Sequence, residues 1–116
     1  MPICKKENFI VDFLPDGNNI RDPFIYRDGT NYYMYGTCGS FDGDRWSVYG
    51  AKDTFKSGWK LLNENILAPG YDSDIKTNRW APEIHKYKDN YYMFTTYVDK
   101  SGNQGTVIFK SKSLTE

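Results

Sequence analysis

Apolar and polar positions along this chain alternate in short stretches, and no stretch keeps a helical period for three turns. Seven runs stand out: FIYR, NYYMYGT, WSVYGAK and WKLLN in the first half, then EIHKY, YYMFTTYV and TVIFKSK in the second. Most are rich in aromatic and β-branched residues, which suit a pleated, half-buried surface. Turn-forming clusters divide them: Arg27-Asp28-Gly29, Asp42-Gly43-Asp44, Lys56-Ser57-Gly58, Lys88-Asp89-Asn90 and Ser101-Gly102-Asn103. The pattern predicts an all-β chain. Within it, YYMY and YYMFTTYV are apolar or aromatic on both faces, which predicts strands covered from both sides.

The two halves are also related to each other. Residues 21–37, RDPFIYRDGTNYYMYGT, return in altered form at 80–96 as WAPEIHKYKDNYYMFTT. Placing Pro23 on Pro82, an offset of 59, aligns Ile25 with Ile84, Asn31 with Asn90, Tyr32 with Tyr91, Tyr33 with Tyr92, Met34 with Met93 and Thr37 with Thr96. Tyr35 then meets Phe94, and Arg27 meets Lys86. Widening the offset to 60 aligns Val48 with Ile108, Tyr49 with Phe109 and Lys52 with Lys112.

An internal repeat of this length, made of short strands, predicts β-propeller blades. We read residues 1–19 as a lead-in, 20–70 as a first blade and 71–116 as a second. The counterpart of WKLLN at 59–63 would fall beyond Glu116, so the second blade is expected to lack its fourth strand.

Composition sharpens this picture modestly. The chain has 116 residues, with 15 basic and 15 acidic side chains and no long run of like charge, which argues against nucleic-acid or polybasic membrane binding. Ten tyrosines, seven phenylalanines and three tryptophans offer flat faces with polar tips, suited to sugars and equally to a β core. No segment has the apolar length of a membrane span. The opening MPICKKENFIV has too short an apolar stretch for a secretory signal, so a cytoplasmic setting with reduced cysteines is expected. Cys4 and Cys38 lack a CxxC spacing and a histidine cluster, so no metal site is expected.

The Asp-Pro ahead of FIYRDGTNYYMYGT, followed one unit later by WAPEIHKYKDNYYMF, resembles glycoside hydrolase family 43. The resemblance runs from about residue 20 to residue 112. It implies five-bladed propellers that hydrolyse arabinose- or xylose-containing glycans with inversion, without a cofactor and without a metal in the chemical step. It also implies that the innermost strand of each blade lines a central funnel. A complete propeller at this period needs about 295 residues, so the resemblance implies an amino-terminal fragment. Such a fragment would be inactive by itself and prone to self-association.

Carried over residue by residue, Asp22 matches the general base. An inverting glycosidase needs a carboxylate that deprotonates water on the face of the sugar opposite the acid. Pro23 would hold that carboxylate where the chain enters the inner strand. Asp22-Pro23 also reads as a plain loop-to-strand turn. Trp80 and Ala81 match positions that wall the sugar subsite, although Trp80 also reads as an indole packed between blades. Phe41 matches a loop aromatic facing the sugar, and Glu83 is expected near the funnel as an acceptor for sugar hydroxyls.

Arg79 and Asp74 are expected in a polar loop at the rim. His85 shares a face with Glu83, and Cys38 reads as a small buried residue. The general acid and the Asp-Pro of a third blade match nothing in these residues. Two other readings stand beside this one: a carbohydrate-binding or interaction module without catalysis, and a related five-bladed clan such as the fructan hydrolases or mannoside phosphorylases.

Overall fold

A computed structural model describes residues 14, 19–39, 43–67 and 75–116. The first half forms a four-stranded antiparallel meander of β1 (Ile20–Asp28), β2 (Asn31–Cys38), β3 (Arg45–Lys52) and β4 (Lys60–Asn63). The second half repeats the meander with β5 (Ile75–Tyr87), β6 (Asn90–Asp99) and β7 (Gln104–Ser111). All seven runs expected from the hydrophobic pattern fall on these strands, and among the described residues the second sheet has three strands against the first sheet's four. The repeat is geometric as well. Met34 pairs with Ile25 and Tyr49 in the first sheet, as Met93 pairs with Ile84 and Phe109 in the second.

The two sheets pack face to face. Tyr35, Trp46 and Val48 of the first sheet meet Ile84, Met93 and Phe109 of the second, with the Trp46 and Phe109 rings edge to face at 5.9 Å. The other face of the first sheet is covered too, by Leu14, Phe55 and Trp59 over Met34, Tyr49 and Ala51. Both faces of YYMY are therefore covered, whereas YYMFTTYV is buried on its Met93 and Thr95 face and leaves Phe94 exposed on the other, against the expectation of cover on both sides. The Tyr35 hydroxyl crosses the interface to donate to the carbonyl of Leu114. Burial pushes that phenol well above its ordinary range, so it acts as a neutral donor.

Two strands are longer than their apolar runs. β1 begins at Ile20, so Asp22 lies inside the strand rather than at its entrance. β5 begins at Ile75, and this corrects the expectation of a polar loop around Arg79. The Arg79 amide donates to the carbonyl of Gly43 at 3.0 Å, and its guanidinium donates to the carbonyl of Asp44. A neighbouring loop supplies the partners that let a polar segment stay extended. Asp74 lies outside the described residues.

Candidate active site

β1 and β5, the first strands of the two sheets, each carry a bulge at equivalent places. Arg21 pairs with Thr37 and Phe24 with Tyr35, so Asp22 and Pro23 together oppose the single residue Gly36. Likewise Trp80 pairs with Thr96 and Glu83 with Phe94, so Ala81 and Pro82 oppose Thr95. A bulge bends its strand and re-aims a side chain. Asp22 has φ +50° and Ala81 φ +32°. A residue before proline ordinarily prefers the extended region, and a left-handed conformation at a residue with a Cβ is strained. Pro23 therefore does not simply hold Asp22 in line. The bulge turns it out of the strand, and its side chain is exposed.

Gly36 makes the first bulge possible. A Cβ there would stand 2.3 Å from Ile20 Cγ1 and 2.7 Å from the Arg21 carbonyl oxygen, so only glycine fits opposite Asp22-Pro23 without displacing backbone.

The next residue, Thr37, joins the two bulges. Its buried hydroxyl accepts the Ala81 amide at 2.8 Å and donates to Asp22 Oδ2 at 3.3 Å. A loop from the first sheet closes over this junction. Gly43, at φ +76°, has no room for a side chain: a Cβ would sit 2.7 Å from the Arg79 carbonyl oxygen and 2.8 Å from Thr37 Cγ2.

Trp80 is half-buried, and its carbonyl receives both the Trp46 indole N–H at 3.4 Å and the Thr95 hydroxyl. A Cβ on Gly43 would also stand 3.2 Å from Trp80 Cδ1, so the indole lies under the same loop. The structure thus brings Asp22, Thr37, Trp80 and Ala81 together where the bulges of β1 and β5 meet.

Glu83 belongs to a different group. Its carboxylate meets His85 Nε2 at 3.1 Å, and both side chains are more than half exposed. Tyr92, Phe94 and Ile108 continue the same open face of the second sheet. The His85 ring also touches Phe24 and Phe94, at centroid distances of 6.1 and 5.6 Å. Cys38 is buried, with its thiol 3.5 Å from the Gly36 carbonyl oxygen. Phe41 lies outside the described residues.

Sequence reasoning overlooked Gly36, Thr37 and Gly43. The signal for Thr37 was present in the repeat, where it aligns with Thr96 beside each proline bulge. Its bond to Ala81 spans 44 positions and leaves no local trace.

An exposed carboxylate held through one oxygen leaves the other free to accept a proton from water. It cannot also supply the proton that a glycosidic leaving group requires, which is the task of a second carboxyl group.

Comparison with known families matches the model of glycosyl hydrolases family 43 over residues 17–115. Among solved structures, an endo-arabinase from Bacteroides thetaiotaomicron superposes with a TM-score of 0.65 at 30% identity, over 82% of this chain and 32% of that one. A β-xylosidase/α-arabinofuranosidase from a compost microbial metagenome, in complex with xylotriose, gives a TM-score of 0.70 at 16% identity, over 83% and 32%. The arabinanase Arb43A of Bacillus subtilis gives 0.61 at 20%, over 82% and 34%. The chain therefore spans roughly a third of the length of these structures, with 32%, 32% and 34% covered. No curated protein matches the chain.

Proposed function

Because the chain belongs to the glycosyl hydrolases of family 43, we propose that it supplies the general base and part of the sugar pocket of an inverting glycosidase. The substrate would be an arabinose- or xylose-containing glycan. In this reading the two sheets are the first two blades of a propeller, 20–70 and 71–116. Asp22 accepts the proton of the attacking water, and the general acid comes from a later blade. The Trp80 indole and the Ala81 methyl wall the subsite beside it, with Phe41 from the loop after β2. Glu83, paired with His85, receives sugar hydroxyls at the edge of the site.

One observation carries the reading: the bulge exposes Asp22 at the junction of the two inner strands, and Thr37 holds one of its oxygens. A carboxylate that merely terminated a turn would need no buried hydroxyl from the neighbouring strand at its side.

The test is Asp22→Asn in a complete propeller carrying this sequence, assayed on aryl arabinofuranoside and aryl xyloside. Loss of a positioned base lowers turnover by about 10²–10⁴-fold, with the melting temperature unchanged. A variant that keeps most of its activity on the preferred substrate overturns the assignment. A wild-type protein that binds these sugars but turns over neither points to a binding module instead.

The 116 residues alone hydrolyse nothing in this reading, and they self-associate through the open face that bears Phe94 and Ile108. Light scattering that finds a folded 13.5 kDa monomer at micromolar concentration excludes the self-association.

A further inference from the structure

A hydroxyl carries one proton and two lone pairs. At Thr37 one lone pair is occupied by the Ala81 amide, 2.8 Å away across the sheet interface. The side chain is buried, and a buried hydroxyl proton left without an acceptor is costly. Asp22 Oδ2, at 3.3 Å, is the carboxylate oxygen within reach of that proton.

Asp22 itself is exposed, and an exposed aspartate with no partner samples several staggered side-chain rotamers. Thr37 has no such freedom: its methyl is confined by Gly43, where even a Cβ would lie within 2.8 Å. We propose that Thr37 is a positioning residue whose hydroxyl, anchored on the Ala81 amide of the second sheet, selects the rotamer of the Asp22 carboxylate presented by the first.

The aim of Asp22 then depends on the docking of the two sheets. The first sheet provides the bulge, Gly36 and Thr37, but the anchor that directs the hydroxyl belongs to the second. A carboxylate with Oδ2 tied to Thr37 has its Oδ1 fixed as well. The catalytic consequence rests on the reading of Asp22 as the base. The geometric claim does not.

Thr37→Val removes the hydroxyl at nearly constant shape, and Thr37→Ser retains it. In the 116-residue chain, side-chain couplings measured by NMR report the Asp22 rotamer, and amide exchange reports the Ala81 N–H. The wild type and Thr37→Ser are expected to hold one dominant Asp22 rotamer. In Thr37→Val, Asp22 averages over rotamers and Ala81 exchanges faster, by up to about tenfold. An Asp22 rotamer that stays single in Thr37→Val overturns the proposal. If that variant does not fold, the wild type decides, since an Asp22 already averaged there overturns it equally.

In a complete propeller, Thr37→Val lowers kcat by about 10–100-fold with KM nearly constant, and Thr37→Ser restores most of it. Unchanged turnover in Thr37→Val, in a protein that Asp22→Asn inactivates, overturns the catalytic consequence. Tolerance of Asp22→Asn instead sinks the base assignment and leaves the rotamer measurement to judge the positioning.

Discussion

The two sheets use the same bulge for different ends. In the first, Asp22-Pro23 bulges opposite Gly36 and presents a carboxylate; in the second, Ala81-Pro82 bulges opposite Thr95 and presents a methyl group and a backbone amide. The bulge is thus a device of the repeat, and the residue placed on it decides what it offers. Where the first sheet needs glycine to admit the kinked strand, the second accepts threonine, whose hydroxyl donates to the Trp80 carbonyl.

The faces differ in the same systematic way. Tyr35 and Val48 are 1% and 0% exposed under the second sheet, whereas their repeat partners Phe94 and Ile108 are 37% and 54% exposed. The connections differ too. The loop after β2 reaches out through Gly43 and Asp44 to hold Arg79, while the equivalent turn after β6 closes on itself. There the Asn103 amide donates to Asp99 Oδ1 at 2.8 Å, and the Gly102 amide donates to the Asp99 carbonyl at 3.0 Å.

Truncating the aromatic pair tests this contrast most severely. Tyr35→Ala empties a packed interface and is expected to cost about 3–5 kcal/mol, whereas Phe94→Ala should cost under about 1 kcal/mol in the chain diluted below self-association. Urea unfolding of the two variants measures both. Equal costs would show that the face of Phe94 is as well covered as that of Tyr35.

A smaller effect separates the residues opposite the bulges. Gly36→Ala must push aside the Arg21 carbonyl, at about 1–3 kcal/mol, while Thr95→Ala loses one hydrogen bond, at about 1 kcal/mol. If Gly36→Ala melts like the wild type, the bulge is softer than its contacts imply.

The inner hairpins offer an exchange in the opposite direction. Gly29, at φ +61°, opens the β1–β2 turn; its repeat counterpart Lys88 adopts φ +53° with a side chain. Relief of that left-handed conformation is worth about 1–2 kcal/mol, offset by about 0.5 kcal/mol for the lost contact of the ammonium with the Tyr87 ring. Lys88→Gly should therefore raise stability by about 1 kcal/mol, and Gly29→Lys should lower it by a similar amount. A destabilised Lys88→Gly would mean that the hairpin depends on the lysine side chain.

The smallest effect concerns pH. The backbone amide of Asn103, the foremost of several donors in the turn, holds the exposed Asp99 carboxyl below its ordinary range. A carboxyl depressed in the folded state adds stability above its unfolded value, near 4, and loses it as pH falls through the lower folded value. The stability gap between wild type and Asp99→Ala should accordingly narrow as pH drops below about 4. A gap that stays constant to pH 2 would assign the effect to the turn's shape rather than its charge.

The apolar cores of the strands, their turns, the repeat and the three-stranded second sheet were legible in the sequence, because period-two alternation, glycine punctuation and internal similarity are local or self-referential signals. The pairing of Met34 with Ile25 and Tyr49 follows from those signals, and so does its echo at Met93. Asp22 could be singled out because an Asp-Pro dipeptide sits at the head of a repeat whose family pattern is known. What only the tertiary structure decided is how that carboxylate is held. Nothing in the order of residues announces that the Ala81 amide will meet the Thr37 hydroxyl, or that Arg79 will extend a strand by borrowing carbonyls from Gly43 and Asp44. Those bonds form between segments 35 to 44 positions apart, and only the docking of the two sheets brings their partners within reach.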